Sequence, residues 1–368
     1  MMRSKIALIT GSAGLIGSQA CDFFHKKGYL IIGIDNDMRS YFFGKEASTK
    51  KSNESLKEKL VSENSDGRLG SDYIHYNIDI RNYSKLEEKL RCYGNDIEIV
   101  IHTAAQPSHD WAAKEPLTDF GVNALGTMNM LELTRLYFPK ATFIFTSTNK
   151  VYGDRLNYLP NIKELETRWE CFDDIGNLAS VSETMSIDNT KHSIFGSSKV
   201  AADVMCQEYG KYFGINVGIF RGGCLTGPNH AGTELHGFLS YLVKCVVNNK
   251  PYTIFGYKGK QVRDNIHSLD LINMFWEFHQ NPKPGAVYNA GGGRSNSTSI
   301  LEAIDKINKI NNTSWSNYTL SEDNRIGDHI WYVSDLSKFK TDYPNWDITI
   351  SLDDTIKQMV DFEKNKNR

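Results

Sequence analysis

The sequence predicts an α/β protein built on a doubly wound parallel sheet with a smaller mixed α/β lobe behind it, and three observations carry that prediction. Residues 7–17, Ala-Leu-Ile-Thr-Gly-Ser-Ala-Gly-Leu-Ile-Gly, run an apolar strand straight into Gly11, Gly14 and Gly17, which open a helix. Apolar, β-branched runs then alternate with helical stretches through the first two thirds of the chain. A second apolar run ends in Asp35, 18 residues beyond Gly17, where a ribose-binding acid falls in a dinucleotide unit. In such a Rossmann-type turn the first glycine permits the tight bend, the second admits phosphate to bare backbone, and the third lets helix pack on strand. The helix amides, with Leu15 and Ile16 in the first turn, then face the anion.

An acid at Asp35, followed by Asn36, accepts hydrogen bonds from a ribose diol and repels a 2′-phosphate, so NAD is expected rather than NADP. Arg39 is the one nearby residue that suits a phosphate.

Taken in order, strands are expected at 6–10, 29–34, 73–78, 98–103, 142–147 and 215–220, and helices at 15–27, 82–92, 123–137 and 193–213, each with apolar spacing of three and four. One segment resists this rhythm. Residues 37–72 are long for a connection, rich in Lys, Glu, Ser and Asn, with a helix expected over 53–63. A charged surface excursion is one reading. The aromatic cluster Tyr41, Phe42 and Phe43 suggests another, an arm that covers the cofactor or touches a second subunit. After residue 221 come loops, a helix near 236–248, short strands at 252–255 and 287–290 and a helix near 299–310. The expected division is a NAD-binding domain over 1–224 with a return segment near 263–290, and a substrate lobe from 225–262 and 291–368, folded over the carboxyl edge of the sheet.

Composition narrows the function classes. At 368 residues the chain supports a full core and two lobes. Lys+Arg of 42 against Asp+Glu of 44 leaves a net charge of −2, so no global field draws nucleic acid or a membrane surface. Cys21, Cys92, Cys171, Cys206, Cys224 and Cys245 are dispersed without metal-ligand spacing, which indicates reduced thiols, no disulfide framework and no metal site. No apolar run reaches the ~18 residues of a membrane span. With the first strand beginning almost at once and no room for a signal peptide, a cytoplasmic protein is expected.

Two further stretches carry chemistry: Thr-Ser-Thr-Asn-Lys-Val-Tyr-Gly-Asp at 146–154, after the fifth strand, and His-Ser-Ile-Phe-Gly-Ser-Ser-Lys at 192–199, opening a helix. With the glycine turn, Ala104-Ala105-Gln106, Asn-Ala-Leu-Gly-Thr at 123–127, Arg-Gly-Gly at 221–223, Gln-Val-Arg-Asp-Asn-Ile-His at 261–267 and Asn-Ala-Gly-Gly at 289–292, the chain resembles the extended short-chain dehydrogenase/reductase family over nearly its whole length. That resemblance implies NAD, a nucleotide-linked sugar as substrate, and a homodimer that packs two helices of each subunit together. Asp79, Ile80, Ala104, Ala105, Gln106 and Asn123 join the turn residues as expected cofactor-facing positions.

In this family a Ser or Thr after strand five polarises the sugar hydroxyl, a Tyr four residues before a Lys moves its proton, and the Lys lowers the tyrosine pKa and holds the nicotinamide ribose. Thr148 and Lys199 match the first and last positions. The tyrosine position holds Phe195, and a phenyl ring exchanges no proton. Another base is therefore required, and Lys150, His109, Asp110 and Tyr152 are the candidates at the same sheet edge. A lysine desolvated near a positive ring can fall far enough in pKa to serve, which puts Lys150 first. The family's 4,6-dehydratases carry Asp and Glu where Asn149 and Lys150 stand, which argues against dehydration. The 147–154 phrase, with His-Ser at 192–193 and Gly-Lys-Gln-Val-Arg-Asp at 259–264, looks most like the CDP-paratose 2-epimerases, also called CDP-tyvelose epimerases, although 37–72 is longer than their form. The implied reaction is oxidation of a ring carbon and return of hydride to the opposite face. Arg263 and Arg325 are candidates for the diphosphate, accompanied by Asp328 and His267, while His109, Thr148 and Asn149 are expected at the sugar. Glu234 and His236 would face the sugar or cap the next helix. A nucleotide-sugar oxidoreductase or dehydratase, or a catalytically silent binder that lost its tyrosine, are the alternatives.

Overall fold

The apolar runs pair side by side in one direction. In chain order the strands that matter for the site are β1 (Ile6–Thr10), β2 (Leu30–Ile34), β3 (Tyr73–Tyr76), β4 (Ile97–His102), β5 (Thr142–Thr148), β6 (Val217–Gly222), β7 (Cys224–Thr226), β8 (Val262–His267) and β9 (Ala286–Ala290). Seven of them form a fully parallel sheet in the order β9-β6-β5-β4-β1-β2-β3. The computed structural model describes residues 5–63, 69–228, 237–323 and 327–366.

Strand alternation decides which face each side chain takes. Ala7, Ile9, Ile31, Ile99, Ile101 and Phe220 point into one apolar layer, closed by the helices Leu15–Lys26 and Ser268–Gln280. Ile6, Leu8, Ile32, Val100, Phe143 and Ile219 point into the other, under Tyr83–Leu90, Gly126–Tyr137 and Ser193–Phe213. With both faces covered, the strands read as continuous apolar runs. Strand order reverses between β1 and β4, and the carboxyl ends at that crevice are where ligands of open α/β sheets bind.

The expected strands all form, with ends shifted by a few residues. The run at 287–290 is the seventh strand of this sheet, the parallel neighbour of β6, reached through the helix Ser268–Gln280. By contrast β8 lies in a separate four-stranded sheet, paired with β7, Ser297–Ser299 and Trp331–Tyr332. The helix expected over 53–63 starts and ends earlier, at Lys50–Lys59. The Thr49 amide and hydroxyl bond to Asp37 and fix the start, and 61–63 pairs with Leu69–Ser71 in a hairpin instead.

One buried ion pair ties the site-bearing elements together. Asp203, on the helix Ser193–Phe213, accepts from Arg221 of β6 at 3.0 and 3.1 Å and from the Ser147 hydroxyl of β5 at 2.6 Å. Arg221 also donates to the Tyr152 hydroxyl at 3.3 Å. Neither charge reaches solvent. Arg221→Met strands the Asp203 carboxylate in the core and should cost roughly 3–5 kcal/mol in urea unfolding, while adding Asp203→Leu should recover much of that loss. A single variant as stable as the parent would show that the pair does not hold these elements.

Candidate active site

A cleft of about 920 Å³ runs along the carboxyl edge of the sheet and under the second lobe. At one end lies the glycine turn. A Cβ on Gly17 would sit 2.0 Å from the Gly11 carbonyl oxygen, so only glycine lets the helix start this close to β1. Gly11 holds φ at +66°, a conformation that suits glycine. Gly14, Leu15 and Ile16 line the cleft beside it; the Gly14 amide donates to the Gly11 carbonyl at 3.0 Å, and the first turn of the helix that follows is the end that suits an anion.

Asp35 accepts from the Ala13 amide at 3.1 Å and from the Thr49 hydroxyl at 3.1 Å, which links the turn, the end of β2 and the 37–72 segment. That segment forms a wall of the cleft: Ser48, Thr49, Ser52 and Ser55 line it, and Leu56 is buried in the core layer beneath. Burial alone would raise the Asp37 carboxyl, but bonds from Thr49, Ser48 and Ser40 hold it below the usual carboxylate range. Phe42 packs edge-on to Trp111 at 4.6 Å and the Tyr41 hydroxyl reaches Glu115 at 2.8 Å. Of the two readings of 37–72, the structure therefore places it along the cofactor end. Arg39 lines the same end with its guanidinium over the Phe43 ring. Burial lowers its pKa.

Asn36, Asp79, Ile80, Ala104 and Ala105 also reach the cleft wall, and Asp79 is clamped by a two-pronged bond from Arg81. Gln106 and Asn123 do not reach it. Both are fully buried beneath the 104–108 loop: the Gln106 backbone amide donates to the Asn123 side-chain Oδ1, and the side chains of both donate to Asp119. Expected to face the cofactor, they instead brace the loop that does.

At the other end, Thr148, Asn149, Lys150, Phe195 and Lys199 line the same cleft. The Thr148 hydroxyl accepts from the Lys150 amide at 3.2 Å and caps the turn that follows β5. Lys199 donates to the Thr146 carbonyl at 2.8 Å, with its ammonium 4.3 Å over the Phe145 ring; burial brings its pKa down to about 8. Lys150 donates to the Gly327 carbonyl at 2.8 Å and faces Asp328 at 3.6 Å. Its pKa is also brought down to about 8: burial is the main cause, Asp328 opposes it and Arg263 assists it. Burial alone would raise Asp328, yet Arg263 and Lys150 hold it far below the ordinary carboxylate range.

Phe195 is buried, and its ring meets His109 edge-on with centroids 4.9 Å apart. His109 lines the cleft, and its Nδ1 pairs with the Ser193 hydroxyl at 2.8 Å. Tyr152 is removed from the candidate bases by its position: fully buried, it donates to Asn289 at 2.7 Å, and burial pushes its pKa up to about 12. Asp110 does not line the cleft. Arg263 does, with its guanidinium on Asp328, whereas His267 caps the helix Ser268–Gln280 through the Leu269 amide. Arg325, Glu234 and His236 lie outside the described residues.

A model of the NAD dependent epimerase/dehydratase family matches residues 7–291. The chain belongs to that family. Among relatives of this family member, a CDP-paratose 2-epimerase of Salmonella typhi is 31% identical, over 96% of this chain and 98% of its own. A putative UDP-glucose 4-epimerase of Methanocaldococcus jannaschii is 27% identical over 98% and 99%. The crystal structure of a UDP-glucuronic acid 4-epimerase from Bacillus cereus, in complex with UDP-glucuronic acid and NAD, superposes with a TM-score of 0.76 at 26% identity, covering 98% of this chain and 99% of that one. NAD is the cofactor, and the glycine cradle, Asp35 and the neighbouring wall fit it. Among the described residues no cluster of metal-ligating side chains occurs and no helix is long and apolar enough to cross a membrane.

Sequence reasoning missed Gln261 and Asn265, which line the cleft on either side of Arg263. Their period of two with Arg263, from the residue before β8 into the strand, is the signal that identifies them.

The two buried lysines carry a pH signature. An unfolded lysine keeps its proton to about 10.5, while Lys150 and Lys199 release theirs near 8 in the fold. Between those values the unfolded chain binds more protons, so stability should rise with pH across that window. Lys150→Met should flatten the rise, as read from urea midpoints between about pH 8 and 10; the same slope in both proteins would contradict it.

Proposed function

We propose that this protein epimerises a nucleotide-linked sugar, with Lys150 as the group that takes and returns the hydroxyl proton. The observation that carries the reading is the pairing of two features in one cleft: a phenyl ring at Phe195, where the family's proton carrier stands, and a lysine beside Thr148 whose ammonium is destabilised by burial. A pKa near 8 leaves a useful neutral fraction at cellular pH, which a general base needs. Bound NAD would accept hydride from a ring carbon and give it back.

The chain's own residues do the rest. Thr148 Oγ1 orients the reacting hydroxyl, the Lys150 amine accepts its proton as the keto sugar forms, and the same ammonium returns it after the sugar has turned. Asp328 and the Gly327 carbonyl hold that ammonium in place. Lys199, fixed by Thr146, anchors the ribose next to the ring. Arg263 meets the diphosphate, together with Arg325. A CDP-linked hexose or 6-deoxyhexose inverted at C2 is the substrate we favour, supported by the similarity to the Salmonella typhi protein and by Asn149 and Lys150 at the positions dehydratases fill with acids. A silent binder is the second reading, and Phe195 is what favours it.

We also propose a homodimer. Leu117, Phe120, Met128, Ile194 and Val204 are exposed on the outer faces of the 116–137 helices and of Ser193–Phe213. Large apolar side chains left exposed on neighbouring helices suit an interaction site. Replacing Met128 and Val204 together by Arg should shift the sedimenting species from dimer to monomer; a parent that already sediments as a monomer excludes the dimer.

Proton NMR of the NAD-loaded protein with CDP-, GDP- and UDP-hexoses should show a new stereoisomer without net NADH. Lys150→Met should lower that turnover by roughly 10²–10⁴ with NAD still bound, and the parent rate should climb through an apparent pKa near 8. Near-normal turnover in Lys150→Met removes it as the base. Phe195→Tyr should leave the rate similar or lower; a large gain would favour the silent-binder reading.

A further inference from the structure

We propose that Lys51, with Ser52 beside it, is a side-chain ligand of the NAD diphosphate, set across the cleft from the glycine turn. The helix Lys50–Lys59 sorts its residues by face. Lys51, Ser52, Ser55, Leu56 and Lys59, at spacings of three and four, line the cleft, whereas Glu54, Lys57 and Glu58 do not. Both acidic residues of the helix are therefore off the face that meets the cofactor.

Two bridges hold the start of this helix over the turn, one on each side of Lys51 and Ser52. On one side the Thr49 hydroxyl donates to Asp35 at 3.1 Å, and the other oxygen of that carboxylate accepts from the Ala13 amide at 3.1 Å. On the other side the Tyr73 hydroxyl donates to Asn53 at 2.9 Å and meets the Ser12 hydroxyl at 3.0 Å. A single side chain thus stands between each flanking residue and the glycine turn. Gly33 on β2 makes room for the second bridge: a Cβ there would lie 2.5 Å from the Tyr73 hydroxyl and 2.6 Å from Ser12 Oγ. Further along, Leu56 shares its apolar layer with Ile16 and Ala20 of the helix Leu15–Lys26, and Lys59 pairs with Asp22.

The neighbouring charges at this end are engaged with one another: Lys59 with Asp22, Arg81 with Asp79. The Lys51 ammonium has no hydrogen bond or ion pair among the described residues. A dinucleotide carries two negative charges on its diphosphate, and a helix start meets them with partial charge only. An ammonium on a flexible four-carbon stem supplies a full charge from the open side, and the Ser52 hydroxyl adds a donor. Adenosine, which has neither phosphate, gains nothing from this pair.

The test is calorimetric titration of the full chain, freed of bound nucleotide on charcoal, with NAD, ADP and adenosine. Lys51→Met should weaken NAD and ADP alike, by roughly 5- to 50-fold, and leave adenosine unchanged. Lys57→Met, on the same helix but off the cleft, should bind all three as the parent protein does. Unchanged NAD affinity in Lys51→Met would overturn the assignment and leave Lys51 a solvated surface lysine. Equal weakening of adenosine would overturn it as well, marking a distorted helix, and so would the same loss in Lys57→Met, marking the general field of the segment. Where the cofactor resists charcoal, exchange of bound NAD for labelled NAD takes the place of the titration: it should run roughly 5- to 50-fold faster in Lys51→Met and at the parent rate in Lys57→Met. Equal exchange rates in the three proteins would overturn the proposal.

Discussion

Everything in the reacting half of the cleft hangs on the Asp203–Arg221 pair. Phe195 and Lys199 lie on the same helix as Asp203, Ser147 precedes Thr148 on β5, and Tyr152 belongs to the turn that carries Lys150; the pair bonds to helix, strand and turn at once. Charges this deep stabilise little in net terms, because desolvation offsets most of their attraction. What they supply is register. With both oxygens of Asp203 engaged, the helix cannot rotate or slide against the sheet without stranding a charge, so Lys199 stays aimed at the end of β5.

Within that frame the site trades one proton carrier for another arrangement of charge. Two lysines, an arginine and an aspartate line one cleft, and burial works against both ammoniums, while Asp328 works for that of Lys150. Lys150 ends near 8 because desolvation outweighs a carboxylate 3.6 Å away that is itself shared with Arg263. A carboxylate held by Lys150 alone would pull that lysine back toward its ordinary value. Arg263 thus acts on the chemistry twice, as a diphosphate ligand in our reading and as the competitor that leaves Lys150 able to release a proton.

The cofactor half shows how a surface-like sequence becomes part of a wall. Residues 37–72 have the composition of a solvated loop, yet Thr49 reaches both Asp35 and Asp37, Leu56 enters the core under the first helix, and Lys59 pairs with Asp22 at 2.6 Å. Three anchors, one at the cap and two on the short helix itself, are enough to lay its serines along the cleft. Gln106 and Asn123 illustrate the reverse case. A motif that marks the cofactor loop does so by bracing it from below, and the residues that face the cleft are the alanines beside them.

The sequence by itself determined the doubly wound sheet, the glycine cradle, Asp35 and the positions of Thr148 and Lys199, because each depends on local rules: strand period, glycine spacing, and the offset of a residue from a motif. It also exposed the missing hydroxyl at Phe195, since that is a single position counted from Lys199. Tertiary structure alone decided which base candidates share the cleft. Lys150 and Tyr152 stand two residues apart in one turn, and only the packing of β9 and Arg221 around the tyrosine ring sends the hydroxyl into the core while the ammonium enters the cleft. Lys51 is the same kind of case. Its place over the glycine turn arises from Thr49 and Asn53 meeting Asp35 and Tyr73, and a pattern along the chain records the face of a helix but not which neighbour, distant in sequence, that face will meet once the chain has packed.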